Sequence, residues 1–497
     1  MKKFVLSLLF VFATLTIISS PITPEQSRLA AENFYKALTA SSSNSQWAYT
    51  ATNGTRGEAC FHVYNIDHGF VIVSADDRVK PILGYSTEGN FDAENLPFGL
   101  QDLLRSYTDE ISAIMQNVTE SSSELQAEWA TLVDGTYVPT RNGRSVNALL
   151  DNNGINNWQQ NNGYNYYCPT DANGPGGHCY VGCCALSMGQ VMHYWQHPAK
   201  GTGSHSYDCN HAAYLDGVYG DYGTLSANFG STTYDFANMP NNLNGSTPSS
   251  QILKIARLLN HCGIAIDMWY GNQGSMAFHD DIGEALETYF KYDETFTVWK
   301  DSYNGDWEDL LKSDLDLGRP LIYCAYASAG GHEFVCDGYN DDNYFHFNMG
   351  WGGSYNGYYA ISNLNAQYNF NSSHGAIAHI RPLEETPDAL QENDLEVTVY
   401  PNPVSDRLYI AGEGIHTVQL FDVTGKQITR LDCTGGESHE IGMGQCAPGT
   451  YFVRIEKEGM TATQKIIKKV RESNNSFRLR EGKDIGNNIL VLFIFSF

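Results

Sequence analysis

Cys183 stands where a glycine-rich loop, Gly176-Gly177-His178-Cys179-Tyr180-Val181-Gly182, gives way to a helical pattern in which Ala185, Met188, Met192 and Trp195 are spaced as one buried face. A cysteine at a helix N-terminus meets unpaired N–H groups and the positive end of the helix dipole, and both favour the thiolate, the nucleophilic form. Such a thiolate can carry out acyl transfer when three other parts are present. It needs an imidazole to hold it as an ion pair and protonate the leaving amine, a group that fixes the imidazole tautomer, and donors for the oxyanion. His332, behind Gly330-Gly331, is the candidate imidazole, and Asn348 or the Trp351 ring the candidate support. Gln160, in Trp158-Gln159-Gln160, is the candidate oxyanion donor beside the Cys183 N–H. Cys184 reads as a buried core thiol. The same stretch offers a second chemistry, a zinc site from Cys179, Cys183, His193 and His197, with the two histidines four apart on one helix face. That reading gives no role to the adjacent glycines or to Gln160.

The elements that must position these groups lie between Trp158 and Pro382, a region dense in Gly, Tyr, Trp and Asn. The nucleophile helix is followed by a loop-rich section over 200–248, a helix from Gln251 to Cys262 with Gly263 as its stop, and a helical pattern from Ile282 to Tyr289. An apolar strand at Pro320 to Tyr326 comes next. Then Gly330 to Cys336 and Tyr344 to Asn348 flank the turn Asn340-Asp341-Asp342-Asn343, which reads as a hairpin that brings 348–351 beside His332.

Upstream, Thr23-Pro24-Glu25-Gln26 spells an N-cap, a first-turn proline and a capping-box partner for a helix carrying Leu29, Ala30, Phe34 and Leu38. Strand patterns at 62–66, 70–74 and 82–85 and a second helix from Leu100 to Ile114 complete a unit that reads as a separate α+β domain. Residues 134–157 lose apolar periodicity, and this exposed polar stretch is either a site of processing near Arg141 or Arg144 or an ordinary linker.

The chain has 497 residues, 56 acidic against 30 basic side chains and a net charge of −26, which disfavours nucleic acid and anionic membranes as partners. Residues 1–20, with Lys2-Lys3, an apolar run from Phe4 to Ile18 and Ser19-Ser20, form a secretory signal pattern. No apolar run between 21 and 485 is long enough to span a bilayer as a helix. Eleven cysteines are an odd number for an exported chain, and Cys433 with Cys446 is the one local bridge the spacing suggests.

The motifs resemble the streptopain family of papain-like cysteine peptidases: Trp158-x-Gln160-x-x-x-Tyr164-Asn165-x-x-Cys168-Pro169, Gly182-Cys183-x-Ala185 with Met188-x-Gln190, Tyr270-Gly271-x-x-Gly274-Ser275, Gly330-Gly331-His332 and Asn348-x-Gly350-Trp351-Gly352-Gly353, in family order. The resemblance implies Cys183 as nucleophile, His332 as its partner and Gln160 as the oxyanion residue, with Asn348 and Trp351 supporting the histidine. It also implies protein or peptide substrates, a preference for hydrophobic side chains near the scissile bond, and no cofactor or metal. The family usually has Trp where this chain has Met349. A side chain there that failed to support His332 would instead favour a surface adhesin or binding protein on a degenerate peptidase fold. Residues 21–141 are similar to the family's inhibitory propeptide, notably Gly69-Phe70-Val71-Ile72-Val73-Ser74-Ala75-Asp76-Asp77-Arg78 with Ile82-Leu83-Gly84-Tyr85, which implies a zymogen inhibited by its own N-terminal region.

Short alternating runs from Leu395 to Ile455, separated by Pro401-Asn402-Pro403, Thr424-Gly425-Lys426 and Pro448-Gly449, predict a small β-sandwich. With Lys465-Ile466-Ile467-Lys468-Lys469 at its end, this block resembles the sorting domain of type IX secretion cargo, and a carbohydrate- or surface-binding sandwich is the rival. The resemblance implies engagement of the secretion machinery and a location outside a gram-negative cell or on its outer surface. The expected architecture is α+β: signal 1–20, propeptide 21–141, papain-like peptidase domain 142–385 with a helical part and an antiparallel barrel-like sheet, β-sandwich 386–469, and an apolar-ended tail 470–497 atypical of such domains.

Overall fold

The computed structural model describes residues 21–469 apart from 42–43, 55, 141–144, 152–155, 215–217, 328–329, 362–363, 366–372, 384–396, 423–425, 434–435, 437 and 458–459. The signal pattern, the proposed processing site at Arg141 and Arg144, and the tail lie outside the described residues. The chain divides into two units, the first ending at Leu383 and the second running from Glu384 to Phe493.

The first unit opens with α1 (Pro24–Thr39), whose Thr23 hydroxyl accepts from the Gln26 N–H while the Gln26 side chain accepts from the Thr23 N–H, the reciprocal cap the sequence spells. Four antiparallel strands follow, β1 (Ser45–Thr52), β2 (Ala59–Ile66), β3 (Gly69–Ser74) and β4 (Ile82–Ser86), then α2 (Phe98–Asn117) and α3 (Ser123–Asp134). The downstream part holds α4 (Cys183–Trp195), the hairpin β5 (His205–Asn210) and β6 (Asp221–Ala227), α5 (Ser249–Ala265), α6 (Asp280–Phe290), β7 (Phe296–Trp299) and α7 (Trp307–Leu315). It ends with β8 (Leu321–Ala327), β9 (Gly330–Tyr339), β10 (Phe345–Asn348), β11 (Gly357–Tyr359) and β12 (Ser373–Ala378).

The N-terminal elements share a sheet with the downstream part. One ten-stranded sheet runs β1-β2-β3-β4-β11-β10-β9-β8-β12-β7, and its seam is the antiparallel pairing of β4 with β11, Tyr85 opposite Tyr358 and Gly84 opposite Tyr359. The Ala360 N–H extends the seam to the Leu83 carbonyl at 2.9 Å, and Tyr107 on α2 directs its buried hydroxyl at the Leu83 and Ala360 carbonyls, 2.9 and 2.8 Å away. A continuous core draws Phe34, Phe61 and Tyr107 together with Phe334, Phe347 and Tyr359. β3 and β4 are buried at every position, as expected of strands covered on both faces.

A second core surrounds α4, which is buried from Cys184 to Met192 all round rather than along one stripe, because α5 and β9 pack against it. α5 does not stop at Gly263 but runs through it. A Cβ at Gly263 would lie 2.3 Å from the Tyr270 hydroxyl, so this glycine serves close packing rather than termination. α3 has no counterpart in the sequence reading. No helix among the described residues is long and apolar enough to cross a membrane.

The second unit is two antiparallel sheets: β13 (Thr398–Tyr400), β14 (Arg407–Ala411) and β17 (Ser438–Gly442) in one, and β15 (Ile415–Asp422), β16 (Gln427–Asp432), β18 (Gly449–Lys457) and β19 (Met460–Lys468) in the other. Val404, Leu408, Val418, Leu420, Val453 and Ile466 fill its core. Cys433 and Cys446 do not bridge: all eleven cysteines are free thiols.

Candidate active site

Gly182 precedes α4 at φ 87°, a left-handed position, and a Cβ there would sit 2.7 Å from the Met268 side chain, so glycine alone fits this entry. Cys183 is the first helical residue and is half-buried. The thiol of Cys184, the hydrogen bond and charge of His332 and the Glu333 backbone N–H hold the Cys183 thiol well below its usual range, against the pull of burial. Cys184 itself is buried, as expected, with its thiol 3.5 Å from the Ala277 carbonyl.

His332 lies on β9, opposite Ala325 of β8. Burial works against its charge, but the Cys183 thiolate and the Met349 carbonyl together raise its pKa above the ordinary imidazole value. Its Nε2 is 3.1 Å from the Met349 backbone carbonyl; a carbonyl only accepts, so the proton is on Nε2 and Nδ1 is the nitrogen left for Cys183. The Trp351 ring stacks on the imidazole at 5.3 Å between centroids and 17° between planes.

Asn348 departs from the expectation that it could orient the imidazole. Its side chain donates to the Asn156 carbonyl at 2.8 Å and accepts from Gln190 Nε2 at 3.0 Å and the Gly350 N–H at 3.1 Å. It ties the β10 end to the chain entering the domain and to α4, while the peptide group of Met349 takes the place at the histidine. The Met349 N–H is in turn held by Asn356 Oδ1 at 2.9 Å. The hairpin register pairs Asn348 with Val335, which brings the 348–351 turn alongside His332 as the pattern predicts.

Gln160 is buried, and its carbonyl accepts from the Val181 N–H at 3.0 Å, two residues before Cys183. Among the described residues its side-chain amide has no hydrogen-bond partner. His193 and His197 are engaged elsewhere, each with Nε2 2.9 Å from a backbone carbonyl, of Met239 and of Lys291 respectively, which leaves the alternative zinc reading without its histidines.

Sequence reasoning missed two further features. α2 lies against β8 and β9, and its buried Asp102 feels the charges of both His332 and Cys183; burial foremost raises its carboxyl pKa. On the strand beside His332, Glu333 meets His279 and Cys324, a trio whose donor atoms lie within 4.8 Å of one another and could hold a metal ion. No local pattern signals either, since each joins residues far apart in the chain.

Three family models match the chain: the peptidase C10 family over 158–359, the Spi protease inhibitor over 19–111 and the secretion system C-terminal sorting domain over 398–469. The thiol protease/hemagglutinin PrtT of Porphyromonas gingivalis is 29% identical over 360 residues, covering 70% of this chain and 39% of that protein. Streptopain of Streptococcus pyogenes is 30% identical over 341 residues, covering 65% of this chain and 80% of streptopain. Among solved structures, a prointerpain A fragment of Prevotella intermedia superposes with a TM-score of 0.52 at 28% identity, covering 67% of this chain and 98% of the fragment. The sorting domain makes this a secreted or cell-surface protein. With the inhibitor model followed by the peptidase model along the chain, and with streptopain 30% identical over 80% of its length, the chain belongs to the peptidase C10 family, the streptopain-like cysteine peptidases.

Proposed function

We infer that the chain is a secreted cysteine endopeptidase made as a zymogen, with Cys183 and His332 as its catalytic dyad. The observation that carries this is the contact of Cys183, at the N-terminus of α4, with an imidazole whose other nitrogen is tied to the Met349 carbonyl. In the reaction, Cys183 Sγ attacks the carbonyl carbon of the scissile peptide and forms a C–S bond while the oxygen takes the negative charge. The Cys183 N–H and the Gln160 amide receive that oxyanion; one such donor contributes roughly 3–4 kcal/mol to barrier lowering. His332 gives its proton to the leaving amine as the C–N bond breaks, then takes one from the water that releases the acyl group. Trp351 keeps the ring in plane and excludes water from one face.

Residues 21–141 act as the inhibitor, with α2 and Asp102 set before the dyad and the β4–β11 seam as anchor. Cleavage near Arg141 or Arg144 frees a mature domain reaching to about residue 385, and residues 386–469 serve sorting. The degenerate-binder reading required Met349 to disable His332; the contact is made by the backbone carbonyl, which any residue supplies, so that reading has no observation in its favour.

The test is labelling of the processed protein with a thiol-directed peptidyl epoxide, with mass spectrometry of the labelled peptide. Labelling at Cys183 that His332→Ala abolishes, together with peptide hydrolysis, is the expected result. A Cys183 that reacts no faster than the other thiols refutes the proposal.

A further inference from the structure

We propose that His279, Cys324 and Glu333 form a buried binding site for a thiophilic divalent cation of the zinc class, on the strand that carries His332. A thiolate, an imidazole and a carboxylate are the donor set of borderline-soft cations, and three protein ligands with a fourth place for water are a common zinc arrangement. The donor atoms already lie within 4.8 Å of one another, so closure around an ion needs only small side-chain movements.

Three observations point to a ligand rather than to an ordinary packed trio. First, the cluster is dry, with Cys324, His279 and Glu333 at 0%, 2% and 2% exposure, yet Glu333 Oε1 has no hydrogen-bond partner among the described residues and His279 Nε2 has no partner nearer than the Ala376 backbone. Buried polar atoms are nearly always paired, and a buried carboxylate oxygen without a partner is unusual. Secondly, Gly375 on β12 faces it. A Cβ there would stand 2.7 Å from Cys324 Sγ and 3.0 Å from His279 Nε2, so the glycine keeps open a space that borders both donors. Thirdly, the charges balance. His279 Nδ1 is 3.0 Å from Glu333 Oε2, so the two groups share a proton beside a thiol that burial keeps neutral, and with that proton in place the cluster is neutral overall. Loading removes the shared proton and one from the thiol and adds one dication, so the buried charge is zero again.

The site differs from the dyad although it touches it. Glu333 follows His332, its backbone N–H faces Cys183, and Cys324 pairs with Glu333 across β8 and β9. A bound ion would therefore clamp β8, β9 and the start of α6 behind the dyad. The expectation from sequence that the protein carries no metal is the one this inference revises.

The experiment uses full-length Cys183→Ala protein, which removes the competing nucleophile thiolate and prevents self-cleavage. Produced in zinc-supplemented medium, it should contain about one zinc per chain by elemental analysis, and a matched preparation in cobalt should show thiolate-to-cobalt charge-transfer absorption in the near ultraviolet. Cys324→Ser in that background should abolish the absorption and bring zinc close to zero. Glu333→Gln, which keeps the shape and an acceptor for His279 Nδ1, is checked for folding by circular dichroism and should weaken cobalt binding by roughly tenfold or more. Metal content below about a tenth of an equivalent in the parent, or metal that survives Glu333→Gln at full affinity, overturns the proposal.

Discussion

Gly84 is the residue at which latency can be loosened without touching the mature enzyme. It lies on β4 opposite Tyr359 in ordinary extended backbone, and a Cβ there would come 2.7 Å from Tyr359 Cδ1 and 3.2 Å from the Tyr358 carbonyl. The ring cannot swing aside: Tyr359 is fully buried, donates its hydroxyl to the Tyr355 carbonyl at 2.7 Å and stacks on Phe347 at 5.9 Å. Gly84→Ala must therefore push β4 from β11. Overpacking of this kind costs about 1–3 kcal/mol, which corresponds to roughly five- to 150-fold in the equilibrium between docked and undocked prodomain. The strain is felt only in the docked state, so it should appear as faster activation. The assay is conversion of full-length zymogen by a fixed trace of mature enzyme, with Gly54→Ala, where a Cβ meets nothing within 4 Å, as the control. The expected result is a rise in conversion rate within that range for Gly84→Ala, and an unchanged kcat/KM for the mature enzyme, whose sequence is identical. A conversion rate within twofold of the parent would refute the view that the seam holds the inhibitor in place.

Glu110 on α2 should make the zymogen's stability pH-dependent. Burial foremost, opposed by the Leu364 N–H at 2.7 Å and by Lys300, raises its carboxyl to about 7. The folded state thus holds a proton that the unfolded state releases, and the stabilisation, about 3 kcal/mol at most, is complete below the usual glutamic acid value and lost as pH rises through 7. In a full-length Cys183→Ala background, Glu110→Gln should match its parent in thermal unfolding at pH 5 and exceed it at pH 8; equal melting at pH 8 contradicts the assignment. At the dyad, Met349→Leu should keep kcat/KM within about threefold and leave the pH–rate profile in place, because the carbonyl is the acceptor. Asn348→Ala, which strands the Asn156 carbonyl and the Gly350 N–H and leaves Gln190 Nε2 only its 3.3 Å bond to Asn156 Oδ1, should cost about 2–4 kcal/mol in urea unfolding. The reverse pattern would return the orienting role to the Asn348 side chain.

The nucleophile helix was legible because its signals are local: a glycine entry, a cysteine at the first turn and apolar spacing behind it. His332 was legible through its glycines and the hairpin turn that brings 348–351 to its side. The acceptor at His332 was not, since a backbone carbonyl has no sequence signature and Asn348, a plausible side chain next to it, drew the assignment instead. Gly263 was misread because a glycine that admits Tyr270 looks the same in sequence as one that ends a helix. The merging of two expected domains into one sheet was hidden for a third reason. The pairing of Tyr85 with Tyr358 joins strands far apart in the chain, and period-two patterns state which face is buried without naming the neighbour. The trio of His279, Cys324 and Glu333 was invisible on the same grounds.

The continuous sheet has a consequence for the protein if it is cut as proposed. Departure of β1 to β4 turns β11 from an interior strand into a border whose N–H and C=O groups face water, the situation that lets sheets recruit foreign strands and aggregate. Here the border is brief, because β11 spans only Gly357–Tyr359, and it begins at a glycine. So short an edge gives an incoming chain little to zip onto. On the proposed cleavage the protein would give up four of the ten strands while opening an edge of only three residues.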